Sequence, residues 1–200
     1  EDGITTEAGR TIKLSVISGG VSGSIINSTT DADGSFVFDN VGLYPGDLIL
    51  IFEDDLAVST GVGNLVFREG TATPIDLTTL RLTENGLSVS HRTSGTAITH
   101  ADLADADNLS AGGKLGFSVD LANNLTLETD FNLLIPSGER FETGGNLTLS
   151  GGSVLLSGTL TVNQNNLLSV EGSISGNGGT IVLSSGATLQ LTGDFNGTGI

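Results

Sequence analysis

The chain has 200 residues, and 23 acidic residues against seven basic ones give it a formal net charge of -16. This balance excludes nucleic acid as a partner, because neutralising phosphates needs clustered Lys and Arg. The absence of cysteine excludes a disulfide framework, a thiolate nucleophile and a zinc–thiolate site. Thirty glycines with only three prolines predict an all-β chain of short strands and tight turns.

Targeting and membrane signals are missing from the sequence. No apolar run approaches the length of a membrane-spanning helix, so we expect no membrane insertion. The chain begins at Glu1, contains no methionine, and lacks the basic start and apolar block of a signal peptide. We therefore interpret it as a processed product or an excised piece, from which an export signal could have been removed.

Residues 1–95 contain short strand-like runs that differ from one another and are separated by turn signals. Their number and spacing predict an antiparallel β-sandwich. The run DLILIF is apolar on both faces, so we expect it to be a central strand. The predicted strands are TIKLSVI (11–17), GSIIN (23–27), SFVFDNV (35–41), DLILIF (47–52), NLVF (64–67), TLRLT (79–83) and LSVSH (87–91).

After residue 110 the runs resemble one another. Their leading apolar residues recur about every seven positions, and the Gly, Asn and Ser residues between them would break a helix. Three such strands make a coil of about 21 residues, the size of one rung of a three-sided parallel β-helix. We predict this β-helix over residues 113–200. The leading residues are Leu147, Val154, Leu160, Leu167, Ile174, Ile181 and Leu189.

The segment between the two predicted modules, residues 96–112, is predicted to be a packed junction. Apolar residues such as Ile98, Leu103 and Leu109 are spread along this segment, whereas a flexible linker would be polar. Within the β-helix, four asparagines fall between predicted strands, where Asn tolerates left-handed conformations and its amide can bridge rungs. We expect structural corner positions for Asn163, Asn165, Asn166 and Asn177.

The acidic turn DADG, with Asp31 and Asp33, has two alternative interpretations. A calcium loop of the EF-hand type would need further ligands and a distal Glu after Gly34, but the strand-like run SFVF follows instead. Asp-Gly before alternating apolar residues is a hairpin signal, so the sequence favours a turn. Calcium remains the alternative at these two carboxylates.

Two further acidic clusters are candidate sites for a cation. The triplet EDD (53–55) follows a hydrophobic strand and is typical of a solvated loop that discourages edge pairing. The stretch HADLADADN carries Asp102, Asp105 and Asp107 and is predicted to be one helical turn or a linker. Calcium joining carboxylates of both modules there would stiffen the junction, and we predict no other cofactor.

Catalysis has few candidate residues. His91 follows the serines of LSVS without a G-x-S-x-G elbow, and His100 has no assured partner, so we expect both histidines at polar surface positions. Residues 146–200 contain only Glu171 and Asp194 as acids and no Arg, Lys or His. The stretch GERFETGG (138–145) offers a small charged patch. We therefore assign no catalytic residue and expect no enzyme.

Two stretches carry family resemblances. TTDADGSFVFDNV followed by GDLILIF resembles the carboxypeptidase regulatory-like, prealbumin-type sandwich of bacterial surface proteins. NLTLSGGSVLLSGTLTV and GTIVLSSGATLQLTG resemble the β-helix of autotransporter passengers and filamentous-haemagglutinin-type adhesins. These resemblances imply a secreted or cell-surface bacterial protein built of modules, and the sandwich modules of that family usually carry no catalysis.

On that basis we expect a non-catalytic structural or adhesive module, such as a stalk or fibre. Its partners would be other copies of itself, further modules of the same protein, or surface glycans. The alternative is a carbohydrate-binding or carbohydrate-active β-helix of the polysaccharide lyase or hydrolase type. A sugar site needs stacked aromatic residues and paired carboxylates, and the solenoid half has no Trp or Tyr.

The carboxyl-terminal run ATLQLTGDFNGTGI contains no amphipathic helix or charged strand that would cover the final coil. A solenoid's last rung exposes apolar interior and unpaired backbone groups, so it needs a cap, another rung or another chain. We expect completion by further β-helix or by a neighbouring molecule, whose TIKLSVI run would dock there head to tail.

Overall fold

The structure is a computed structural model of the chain. It describes residues 8–19, 21–23, 25–39, 41–53, 63–68, 86–90, 96–109 and 115–198. An antiparallel sheet on the amino-terminal side is followed by a parallel β-solenoid of about three turns, and the described residues include one short helix. The predicted all-β fold class is thereby confirmed.

The antiparallel sheet is organised around its first strand. This strand, β1 (Thr11–Ser18), pairs with β4 (Leu48–Glu53) along one edge and with both β2 (Val21–Ser22) and β3 (Ile26–Thr29) along the other. The run TIKLSVI therefore does not offer the free edge that docking onto another molecule would need. The strands are β1 (Thr11–Ser18), β2 (Val21–Ser22), β3 (Ile26–Thr29), β4 (Leu48–Glu53) and β5 (Gly63–Arg68).

Strands β2 and β3 form one bulged edge. Ile17 pairs with Ser22 and Leu14 with Ile26, so one extra residue lies between the two paired segments. The backbone N–H of Gly23 donates to the carbonyl of Val16 at 2.8 Å within this bulge. A bulge twists an edge strand and makes it a poor template for further pairing.

Strand β4 is central, as its apolar sequence predicts. It pairs with β1 and β5, and all five residues from Leu48 to Phe52 are buried. Alternate side chains face opposite sides of the sheet. Leu48, Leu50 and Phe52 join the large core cluster that runs through the solenoid, whereas Ile49 and Ile51 face a second, smaller cluster.

The predicted strand over residues 35–41 is wrong for the described residues 35–39 and 41, which form no regular strand. Phe36, Phe38, Val41 and Leu43 instead pack onto the β1–β4 face of the sheet, where they cover the apolar side chains of Ile49 and its neighbours. In the described part of the chain this segment, rather than a second sheet, covers that face. The predicted strand TLRLT lies outside the described residues.

The solenoid has three walls, here called sheets A, B and C. Sheet A continues the antiparallel sheet without a break, because β6 (Gly86–Ser90) pairs in parallel with β5 and with β10 (Asn132–Ile135). Sheet A continues with β10 (Asn132–Ile135), β13 (Val154–Leu156), β16 (Ile174–Asn177) and β19 (Phe195–Thr198). Sheet B contains β7 (Ile98–Thr99), β11 (Arg140–Glu142), β14 (Thr159–Val162) and β17 (Thr180–Leu183). Sheet C contains β8 (Phe117–Val119), β9 (Leu125–Leu127), β12 (Leu147–Leu149), β15 (Leu167–Val170) and β18 (Thr188–Leu191).

The register of the walls gives the rung length. Leu147 pairs with Leu168 and Leu160 pairs with Ile181, so one rung takes about 21 residues, the length that the strand spacing predicts. The paired leucines point inward and are fully buried in the middle rungs. Parallel pairing already begins at β6 and β7, ahead of the predicted solenoid start at residue 113.

The amino-terminal end of the solenoid is closed by inserted structure. Helix α1 (His100–Leu109) and strand β8 lie between β7 and β9 in the sequence. β8 pairs antiparallel with β9 and so ends sheet C, and Leu103 of α1 is buried in the solenoid core cluster. Ile98 of the predicted junction belongs to the same cluster, as do Leu115 and Phe117 directly after it.

Side-chain ladders hold the corners of the solenoid. The Oδ1 of Asn124 accepts from the N–H of Asn146, whose own Oδ1 accepts from the N–H of Leu167, both at 2.9 Å. At another corner, the Nδ2 groups of Asn163 and Asn166 donate to the carbonyl of the buried Thr143. Corner positions are thus confirmed for the predicted asparagines in this loop, and Asn165 has a left-handed φ of 63°.

Candidate functional site

The turn with Asp31 and Asp33 is built by its own carboxylates. The N–H of Gly34 donates to the carbonyl of Asp31 at 3.1 Å, which closes a β-turn. Asp31 Oδ1 accepts from the N–H groups of Asp33 and Ser35, and Asp33 Oδ1 accepts from the N–H and the hydroxyl of Ser35. Hydrogen bonding with Asp31 and then with Ser35 lowers the pKa of Asp33 to about 2.

Asp102 closes the first turn of α1 through a capping box. The N–H of Thr99 donates to Asp102 Oδ2 at 2.9 Å, and the N–H of Asp102 lies 3.4 Å from the hydroxyl oxygen of Thr99. Asp102 is buried, whereas Asp105 is exposed further along the helix. Asp107 lies on the same helix, with its side chain outside the described part of the structure.

The predicted calcium ligands therefore fall on two separate elements. Asp31 and Asp33 share one turn, and Asp102 and Asp105 share a helix. Among the described residues there is no group of three or more acidic, His or Cys side chains that could hold a metal ion. Of the third acidic cluster, Glu53 forms an ion pair with Arg10 at 2.8 Å, while Asp54 and Asp55 lie outside the described residues. Calcium binding stays a prediction.

His100 is buried, so the predicted surface position is wrong for this residue. Its ring is inaccessible to solvent and packs against Phe141, with ring centroids 5.5 Å apart. The Nδ1 lies 2.8 Å from the carbonyl oxygen of Asn123, which can accept from a protonated Nδ1, and 3.3 Å from the backbone nitrogen of Gly145, whose N–H can donate to an unprotonated one. Burial lowers the pKa of His100. His91 lies outside the described residues.

Sequence reasoning missed the burial of His100, because an isolated histidine in a sequence does not show whether its side chain faces the core or the solvent. The signal that could have found it is the capping box Thr99-x-x-Asp102, which starts a helix at His100. The first helical residue then follows directly on the solenoid strand β7. Its side chain lies over the corner formed by Asn123 and Gly145.

A groove of about 420 Å³ lies on the antiparallel part of the molecule. Tyr44 borders it and is 71% exposed. The β-turn from Tyr44 to Asp47 is closed by a 3.0 Å backbone hydrogen bond, and Gly46 takes the positive φ of 92° that a type II turn needs. Asp47 anchors the turn by accepting from the hydroxyl of Ser18. Ser18 also lines the groove, and the other lining residues are Val16, Val21, Gly23, Ile26, Val41 and Gly42.

The outward side of the solenoid is neutral over most of its length. In sheet C, Thr126, Thr148, Ser169 and Gln190 stand in register on successive strands. In sheet B, Arg140 and Glu142 pair with Thr159 and Thr161, so the charged patch is confined to one strand of that wall.

Comparison with known proteins gives no match: no family model, curated protein or solved structure is similar to this chain. Within the described ranges, no helix is both long enough and apolar enough to cross a membrane. The fold and the local geometry therefore carry the functional argument.

Proposed function

We propose that this chain is a non-catalytic structural or adhesive module of a secreted or cell-surface bacterial protein. The observation that carries the proposal is that polar side chains of the solenoid form hydrogen bonds between neighbouring rungs. Asn124, Asn146, Thr143 and Ser153 bond to the neighbouring rung, so they serve to hold the stack together. Such ladders suit a stiff rod.

The charge distribution of the solenoid agrees with a structural role. Residues 146–200 contain Glu171 and Asp194 as their only charged side chains. General acid–base chemistry needs a titratable pair within hydrogen-bond reach of a substrate. Assays with acidic and neutral polysaccharides should therefore show no turnover, and clear lyase or hydrolase activity would overturn the proposal.

Surface location is tested on the cells that make the protein. Antibodies raised against the folded chain should label intact, unpermeabilised cells. Labelling that appears only after permeabilisation would contradict a secreted or surface-exposed module.

Glycan binding is the second candidate function, and Tyr44 is the observation that favours it. Its exposed aromatic ring is fixed by the anchored turn beside an apolar groove, which is the arrangement a sugar ring needs for stacking. On a glycan array, Tyr44→Ala should abolish any binding, while the matched Tyr44→Phe, which keeps the ring, should retain it. Equal binding by both variants would exclude this groove.

A further inference from the structure

Residues 36–39 and 41–43, here called the strap, alternate in burial like a strand but lack a strand's backbone partners. Phe36 and Phe38 are half-buried, whereas Val37 between them is 70% exposed. The N–H of Val37 donates to the hydroxyl oxygen of Ser28 at 3.3 Å, and within the described part of the chain no backbone–backbone hydrogen bond involves a residue of the strap. Side-chain packing is therefore what holds the strap on the sheet.

Both ends of the strap are fixed by turns that do not depend on it. In the turn before the strap, the N–H of Asp31 donates to the carbonyl of Ser35 at 2.9 Å. In the turn after it, the N–H of Tyr44 donates to Oδ2 of Asp47 at 2.7 Å, and the N–H of Asp47 donates to the carbonyl of Tyr44. These hydrogen bonds persist when the strap moves, so the two turns can serve as its hinges.

The strap covers an apolar face of the sheet that is continuous with the groove beside Tyr44. The buried side chains under the strap are Ile12, Leu14, Ile49 and Ile51. Val16, Ile26 and Val41 pack against this cluster and also line the groove. Lifting the strap therefore extends the groove onto the face of β1 and β4.

Opening of the strap costs less free energy than unfolding of the sheet. β4 keeps its backbone pairing with β1 and β5 when the strap moves away, because the strap is not part of that ladder. The strap side chains are half-buried, so less apolar surface is exposed than in global unfolding. Segments with few backbone hydrogen bonds open at the low end of the free-energy range within a protein.

We propose that the strap opens as one unit about its two hinge turns, while sheet A stays intact, and that this opening controls access to the apolar face of β1 and β4. An apolar molecule that contacts Ile49 or Ile51 then binds the open state only, and its apparent affinity is reduced by the fraction of the chain that is open. The inference does not rest on the proposed location or on the absence of catalysis.

Thiol labelling tests the proposal, because the natural chain contains no cysteine. Ile49 and Leu50 are neighbours on β4 and both are fully buried, but only Ile49 lies under the strap, whereas Leu50 faces the solenoid core cluster. We expect Ile49→Cys to react with a thiol reagent at least about tenfold faster than global unfolding of the same variant allows. Its rate should hardly depend on low urea concentrations, because little surface is exposed. Leu50→Cys should react only through global unfolding, with the full urea dependence.

A second pair of variants tests whether the strap is the element that moves. In the Ile49→Cys chain, Phe38→Ala should raise the labelling rate by about tenfold or more, because it removes a side chain that holds the strap. Val37→Ala is the matched control, since Val37 points away from the sheet, and it should leave the rate unchanged. Ile51→Cys lies under the strap as well and serves as the probe if Ile49→Cys does not fold.

Three results would overturn the proposal. The first is labelling of both Ile49→Cys and Ile51→Cys only at the rate and urea dependence of global unfolding. The second is equally fast, urea-independent labelling of Leu50→Cys, which would mean that the sheet itself opens. The third is an unchanged labelling rate on Phe38→Ala in folded protein.

Discussion

Burial disfavours the charged form of the His100 imidazole, and the carbonyl of Asn123 offsets only part of that effect on its pKa. Its contacts are the carbonyl of Asn123, the N–H of Gly145 and the ring of Phe141. The net effect is a pKa below the ordinary histidine value of 6.5, chiefly because of burial. The unfolded chain takes up the proton near that ordinary value, so protonation favours unfolding.

This residue predicts a pH dependence with a defined sign. Its contribution to stability is complete above pH 6.5 and is lost as the pH falls towards the lower folded-state pKa. The loss is limited to about 1.4 kcal/mol for each pH unit. Urea unfolding between pH 7.5 and 5.5 should therefore show a falling free energy of unfolding for the natural chain and a flatter profile for His100→Gln.

His91→Gln is the control, since His91 is the other histidine of the chain. We expect its profile to follow that of the natural chain. Identical slopes for the natural chain and His100→Gln would contradict the assignment of the pH dependence to His100.

At the scale of single elements, α1 depends on its capping box. Asp102→Ala removes the carboxylate that accepts from the N–H and hydroxyl of Thr99, and we expect a loss of about 1 kcal/mol in the free energy of unfolding. Asp102→Asn keeps an acceptor oxygen and should lose less. Equal destabilisation of Asp102→Ala and Asp102→Asn would contradict the capping role, because it would show that the charge of the carboxylate matters rather than its acceptor oxygen.

The corner between sheets C and A depends on a column of glycines. A Cβ on Gly172 would lie 2.3 Å from the carbonyl oxygen of Gly152, and one on Gly193 would lie 2.2 Å from that of Gly172. Gly172→Ala should therefore cost about 2 kcal/mol or more, because backbone must move. Gly42→Ala, where nothing lies within 4 Å, should be nearly neutral by the same thermal or urea unfolding. Equal effects would contradict close rung packing.

The repeat was readable from sequence because each inward position is filled by the same residue class in every rung. The spacing of Leu147, Leu160 and Leu189 can be read without knowing any distant contact, because each of these leucines pairs with a residue about one repeat away in the sequence. The wall continuity from β5 to β6 was not readable. It depends on pairing between strands whose sequences do not repeat.

The candidate sites divide in the same way. Asp31 was correctly interpreted as a turn residue, because Asp-x-x-Gly binds its own backbone locally. The segment over residues 35–41 was misread as a strand in its described part, because alternation of apolar residues fits both an edge strand and a chain that packs on a sheet face. The exposure of Tyr44 depends on its tertiary surroundings, which local sequence does not encode.

On the scale of the whole molecule, the two predicted modules share one core. Ile17 and Phe52 of the antiparallel sheet belong to the same buried cluster as Leu160 and Val170 of the solenoid. Sheet A passes through both as a single sheet, with ten strands among the described residues. A shared core and a shared sheet mean that neither part can open without exposing apolar surface of the other, so we expect one cooperative unfolding unit.

Native-state hydrogen exchange tests that cooperativity with a substitution placed far from the strands it should affect. Leu160 is fully buried in sheet B, and Leu160→Ala should lower the free energy of unfolding by about 2–5 kcal/mol. In one cooperative unit, the slow amides of β1 and β4 must then exchange faster by the same free energy, because they exchange through global unfolding. Val182→Ala, on the outward side of the same wall, should leave those amides unchanged. Faster exchange confined to the solenoid strands would show two independent units, and the continuous core would then not couple them.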